Sequence, residues 1–216
     1  MNTLKHLSWS KAEDLKIITS LLTDNEIIVG SSDTVLGLLG NTTAGASASL
    51  DRIKKRSKKA YIVLISDKEK LDCFIAQPLP EAMQKLVNHC WPGPLTLILK
   101  AHESIPCYLK SDKGSIALRI PRHEGLLQVL KNFKGLFSTS ANKSGQPVAH
   151  IPSELDPSIL QESACLVLDE NEKSTTIIPS TILDCTGQEI HVIREGAYSI
   201  RQLEQISGIK FCTLPE

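Results

Sequence analysis

The stretch Leu136-Phe137-Ser138-Thr139-Ser140-Ala141-Asn142-Lys143-Ser144-Gly145-Gln146-Pro147 changes character after its second residue. Two large apolar side chains give way to hydroxyls, an amide and a glycine turn. Such a strand begins in a core and ends at a polar pocket, because binding groups concentrate on the loops that follow rigid scaffold strands. The segment has hydroxyls and an amide but little positive charge, so cations for an anionic ligand must come from elsewhere in the chain.

Working outward, apolar runs with strand character recur at 26–29, 61–65, 95–99, 115–120, 165–168, 181–184 and 190–194, besides 136–139 itself. Helical spacing separates them. Ser10 followed by Glu13 reads as a capping box opening a helix with Leu15, Ile18, Leu21 and Leu22 on one face, ending near Asp24-Asn25. Further helices are expected over 46–55, 80–90, 123–132 and 199–207, the one over 80–90 stopped by Pro92-Gly93-Pro94. Strands and helices interleave, so the expected fold class is α/β: a single domain over residues 1–216 with a twisted mixed sheet flanked by helices. At 216 residues with 41% hydrophobic content, roughly 70% of the unfolded surface can be buried.

Composition narrows the function. Lys+Arg and Asp+Glu each total 24, and a formal charge of zero argues against a bulk polyanion binder. The six cysteines (Cys73, Cys90, Cys107, Cys165, Cys185 and Cys212) form no C-x-x-C pair, which points to thiols in a reducing compartment rather than a zinc site. No run approaches the ~18 apolar residues of a membrane helix. The N-terminus lacks the apolar core of a signal peptide. The expectation is a cytoplasmic protein with no membrane partner and no metal ligand set.

Several segments carry chemistry. Gly30-Ser31-Ser32-Asp33-Thr34 places hydroxyls and free N–H groups after a strand, which suits a carboxylate or phosphate; the same residues also make an ordinary turn. The run from Arg52 to Lys59 holds six cations in eight positions, readable as a phosphate clamp or as a solvated helix terminus. Trp91-Pro92-Gly93-Pro94-Leu95-Thr96 reads as a rigid turn leading a strand into the sheet. In Ser115-Ile116-Ala117-Leu118-Arg119-Ile120-Pro121 the alternation puts Ser115, Ala117 and Arg119 on one face. Arg119 there needs an anionic ligand or a buried acidic partner. Arg194, at a strand end, meets an anion or pairs with Glu195 or another neighbour.

Taken in order, these segments resemble the YrdC-like family of threonylcarbamoyl-AMP synthases in its short, single-domain form. The matching residues are Asp33-Thr34-Val35-Leu36-Gly37-Leu38, Lys54-Lys55-Arg56, Trp91-Pro92-Gly93-Pro94-Leu95-Thr96, Ile116-Ala117-Leu118-Arg119-Ile120-Pro121, the Ser138 to Gly145 segment, Ser180-Thr181-Ile182-Leu183-Asp184 and Arg194-Glu195-Gly196. Ser31-Ser32 stands where the family has Pro-Thr, Leu36 where Tyr is common, Leu64 where some members have His, and Val148 where Ser is frequent. The segment after Arg56 is one residue short.

The resemblance implies formation of threonylcarbamoyl-AMP and pyrophosphate from L-threonine, bicarbonate and ATP, with Mg²⁺ expected on the phosphates. It implies that Thr34, Arg119, Ser138 and Ser180 hold L-threonine and that Arg56, Lys59, Ser115, Ser140 and Arg194 hold ATP. Lys54, Arg56, Ser140 and Asn142 would form the catalytic set around the reacting phosphate. The product would pass to a separate transferase that modifies adenosine in tRNA. Two alternatives remain open at this point: a protein of the same fold with other carbamoyl or acyl-adenylate chemistry, or an RNA-binding module using residues 52–59. With only 4% aromatic residues, such a module would bind RNA weakly.

Overall fold

The structure is a computed structural model that describes residues 4–55, 60–169 and 178–213. The chain opens with strand β1 (Lys5–Leu7), helix α1 (Ala12–Thr23) and the antiparallel pair β2 (Ile28–Gly30) and β3 (Gly37–Asn41). Helix α2 (Ala44–Lys54) and strand β4 (Ile62–Leu64) follow, then helix α3 (Glu81–Cys90), strands β5 (Leu95–Lys100) and β6 (Ser115–Arg119), and helix α4 (Glu124–Leu130). Next come strand β7 (Leu136–Ser140), the short helix α5 (Pro157–Gln161) and strand β8 (Cys165–Val167). The chain finishes with strands β9 (Thr181–Asp184) and β10 (His191–Arg194), helix α6 (Ile200–Ser207) and strand β11 (Cys212–Thr213).

The strands join in one mixed sheet of order β1-β8-β2-β3-β7-β4-β6-β5-β9-β10-β11. Both faces are covered, as the interleaved apolar pattern requires. On one face Val29, Leu38, Val63, Leu118 and Phe137 join a core with Leu50 and Ile53 of α2 and Leu86 and Val87 of α3. On the other, Ile28, Leu39, Leu64 and Leu136 pack against Ile18 and Leu22 of α1 and Leu126 and Leu130 of α4.

Strand β7 shows how this division makes a pocket. Leu136 and Phe137 are both fully buried, one in each core. Side chains two residues apart share a face, so Ser138 and Ser140 lie on the side of Leu136. Their register partners on that face are Ile62 and Leu39 for Ser138 and Gly37 for Ser140. Helices α1 and α4 cover the Leu39-Leu136-Leu64 end. The hydroxyl end is left for something else to fill.

The expected capping box at Ser10 is not formed. Helix α1 begins at Ala12 after an extended Lys11 with no side-chain cap. The hydroxyl of Ser10 is bonded to that of Ser8 at 2.7 Å, and Asp14 Oδ2 accepts from the Ser8 N–H at 2.9 Å. A capping box does open α6, where Ser199 and Gln202 satisfy each other's N–H groups. No helix among the described residues is long and apolar enough to cross a membrane.

Candidate active site

A cavity of about 290 Å³ opens on the uncovered end of the sheet face. Thr34 reaches it from the loop after β2, Arg119 from the end of β6, Ser138 and Ser140 from β7, Ser180 from the residue before β9, and Arg194 from the end of β10. Ser32, Gly37, Tyr61 and Ile62 complete much of the wall. A second cavity of about 720 Å³ is lined by Lys55, Asn142 and Lys143, and Val148 lines both.

Arg119 anchors the smaller cavity. Its side chain is 5% exposed and forms an ion pair with Asp33 through Nη2. Nη1 donates to Thr34 Oγ1 at 3.0 Å and Nε donates to the Gly93 carbonyl at 3.1 Å. Both readings of Arg119 therefore hold a place: it has its buried acidic partner, and it lines a cavity. A guanidinium carries five N–H donors. Two of them, one on each terminal nitrogen, have no partner among the described residues, which is what a carboxylate takes from an arginine. Thr34 is fixed in turn, its hydroxyl 3.1 Å from that of Ser32.

The opposite wall is built around Ser180, whose hydroxyl is 2.9 Å from Thr96 Oγ1 and whose carbonyl accepts from Arg194 Nε and Nη2 at 3.1 and 2.9 Å. Arg194 does not pair with Glu195, which instead accepts from the Ile200 N–H at the start of α6. Desolvation, and then the charge of Arg119, hold Arg194 below its ordinary pKa. Two guanidinium groups on one small cavity make it a natural receptor for an anion. Gly196 is required by close approach, because a Cβ there would stand 2.2 Å from the Pro179 carbonyl.

Lys54, Ser140 and Asn142 form a compact cluster. Lys54 Nζ donates to the Ser140 carbonyl at 2.7 Å and to Asn142 Oδ1 at 2.9 Å, and Ser140 Oγ donates to the same Oδ1 at 2.5 Å. The Asn142 amide nitrogen donates to the Gln146 carbonyl. Lys54 is 2% exposed and lines neither cavity; it stands behind Ser140 and Asn142. Its position follows from the end of α2, where Lys55 adopts a left-handed conformation and breaks the helix.

Among the described residues, Lys54 and Asn142 form the cluster beside this cavity rather than its wall, and Ser115 lines neither cavity. Ser115 begins β6, about 13 Å along the strand from Arg119 at ~3.3 Å per residue, and its hydroxyl is 2.7 Å from that of Ser111. Arg56 and Lys59 lie outside the described residues. Ser32, Asp33 and Tyr61 belong to the site without being among the residues that the resemblance implies. Asp33 and Ser32 sit inside the Gly30 to Thr34 loop that the sequence marks as polar. Nothing in the sequence marks Tyr61, which packs edge-on to Phe137 at 5.7 Å and donates to Asp51.

The chain is 25% identical over 203 residues to the threonylcarbamoyl-AMP synthase of Pyrococcus abyssi, covering 90% of this chain and 57% of that relative. It is 29% identical over 191 residues to the threonylcarbamoyl-AMP synthase of Sodalis glossinidius, covering 87% and 98%. The crystal structure of Pyrococcus abyssi Sua5 complexed with L-threonine matches the fold with a TM-score of 0.83 at 23% identity, over 99% of this chain and 63% of that one. The Sua5, YciO and YrdC family model, described as "Telomere recombination", matches residues 20–196. The chain belongs to the Sua5/YciO/YrdC family.

Proposed function

We propose that the chain is an L-threonylcarbamoyladenylate synthase that serves threonylcarbamoyl modification of tRNA adenosine. One observation carries this reading: a 290 Å³ cavity whose lining includes Thr34, Ser138, Ser140 and Ser180 and two guanidinium groups, Arg119 and Arg194, drawn from five separate segments. Its volume lies at the small end of ligand pockets, which run from about 300 Å³ upward. That suits an amino acid. The adjoining 720 Å³ cavity has room for a nucleotide. The names of the relatives, and the threonine bound to the Pyrococcus abyssi protein, support the same assignment.

In this reading Arg119 takes the threonine carboxylate on its two spare N–H groups, while Thr34, Ser138 and Ser180 address the hydroxyl and amine end. The threonine amine and bicarbonate condense to a carbamate with loss of water. A carbamate oxygen then attacks the α-phosphorus of ATP, the bond to the bridging oxygen breaks, and pyrophosphate leaves. Nucleophile and electrophile are both anions, so the barrier is chiefly one of bringing like charges together. Arg194, Ser140 and Asn142, with Arg56 and Lys59 as further nucleotide contacts, supply positive charge and donors where charge develops. Lys54 acts through its neighbours, holding Asn142 Oδ1 and so fixing the amide.

Mg²⁺ belongs to this scheme as part of the nucleotide substrate. Among the described residues no group of three His, Cys, Asp or Glu side chains gathers to hold a metal ion. The downstream acceptor of the product is a tRNA-modifying transferase, and the setting is the cytoplasm.

The test is mass spectrometry of products formed from ATP, bicarbonate and a panel of amino acids. The expected product is the threonylcarbamoyl adenylate, formed with threonine in clear preference to serine or valine. A carbamoyl or acyl adenylate built on another substrate, with none on threonine, would overturn the assignment.

A further inference from the structure

A further cavity, about 840 Å³, lies apart from the proposed active site. It is a groove between α3 and α6, lined by Lys85, Asn88, Arg122, Tyr198, Gln202 and Gln205 among others, and no carboxylate lines it. The internal hydrogen bonds leave this lining rich in donors. The Asn88 Oδ1 acceptor is taken by Lys68 Nζ at 2.7 Å, which leaves its NH₂. The Gln202 Oε1 acceptor is taken by the N–H and hydroxyl of Ser199, both at 3.0 Å, which leaves its NH₂ as well. Arg122 spends only Nε, on the Pro92 carbonyl at 3.0 Å, so both terminal nitrogens have no partner among the described residues. Lys85 is held at 2.9 Å by Glu81, an exposed i,i+4 pair that solvent screens.

A volume of this size with cationic and amide donors, a tyrosine ring and no acidic wall complements a phosphate attached to an organic body. A long polyanion fits poorly, because a chain of zero net charge lacks the extended basic stripe that such binding uses. We propose that the α3–α6 groove binds a mononucleotide, its phosphate on Arg122 and Lys85 and its base against Tyr198 and the amides of Asn88, Gln202 and Gln205. The groove is a neighbour of the active site. Arg122 and Arg119 hold the adjacent carbonyls of Pro92 and Gly93. Thr181 Oγ1 bonds Tyr198 through both its N–H and its carbonyl, beside the Ser180 that lines the smaller cavity.

The test is photolabelling with 8-azido-AMP followed by peptide mapping, which needs no turnover and so stands or falls apart from the proposed reaction. Label is expected on peptides from residues 85–91 and 198–206. Arg122→Glu should reduce that labelling about tenfold or more, the loss of a charge-assisted phosphate contact. Arg194→Ala, in the other cavity, should leave it in place. Arg122 and Gln205 are both exposed, so Gln205→Glu offers a second variant that leaves the fold intact, with circular dichroism as the check. Label confined to the active-site peptides, labelling indifferent to both groove variants, or protection by single-stranded RNA but not by AMP would overturn the proposal.

Discussion

At the scale of single residues, the buried Arg119–Asp33 pair decides whether the cavity exists. Both side chains are at most 10% exposed, and Asp33 Oδ2 is buried with no hydrogen-bond partner among the described residues. Removing one member of such a pair strands the other charge, which costs about 3–5 kcal/mol. Asp33→Ala should therefore lower unfolding stability by that amount in urea titration, and it should raise KM for threonine by releasing Arg119. A variant as stable as the parent would mean that water already solvates the pair. The alternation within β6 correctly places Arg119 on the face of Ala117, but it does not say whether an acid or a ligand meets it. That choice depends on Asp33, 86 residues away in sequence, and a long-range partner leaves no local mark.

Elements show the same limit differently. Strand β9 and helix α3 are readable almost to the residue, because strong periodicity meets clear stop signals such as Pro92-Gly93-Pro94. Strand β3 is missed by periodicity, since Gly37, Gly40 and Asn41 hide a continuous pairing with β2 and β7. Strands β1 and β11 are missed because three and two residues carry too little pattern. Strand β7 tests the account of two cores. Phe137→Ala removes a fully buried ring and should cost about 3–5 kcal/mol, measurable as a lower denaturation midpoint with an unchanged m-value.

Helix α5 offers a test by pH. Asp156 caps it through the Ser158 N–H and pairs with Lys143 at 2.7 Å. The hydrogen bond from Lys143, then those from Ser158, hold its pKa down at about 2, below the ordinary 3.8. A carboxylate with a depressed folded pKa stabilises the fold above its unfolded pKa and loses that contribution as pH falls toward its folded one. Stability should therefore fall more steeply between pH 4 and 2 in the parent than in Asp156→Asn. Parallel acid curves for the two proteins would show that the cap contributes nothing.

For the whole molecule, one sheet with helices on both faces is the architecture that the interleaved pattern implies, and the open end of one face becomes the cavity. The thiols report on that packing. Burial pushes Cys90 up to about 11 and Cys165 and Cys185 up to about 12, whereas Cys73 and Cys107 are exposed. At pH 8 a thiol reagent should modify Cys73 and Cys107 quickly and reach the three buried thiols only on unfolding, since the thiolate is the reactive form. Rapid modification of Cys165 in the native protein would contradict the packing of β8 against β1 and β2.

The central claim is that hydroxyls, an amide and guanidinium groups from distant segments act together on threonine and the phosphate that its carbamate attacks. Its most direct test is the rate of threonine- and bicarbonate-dependent pyrophosphate release, measured for the parent and for Asn142→Ala at equal circular dichroism. Loss of one donor of this kind should slow release about a hundredfold. Release at the parental rate would contradict the account.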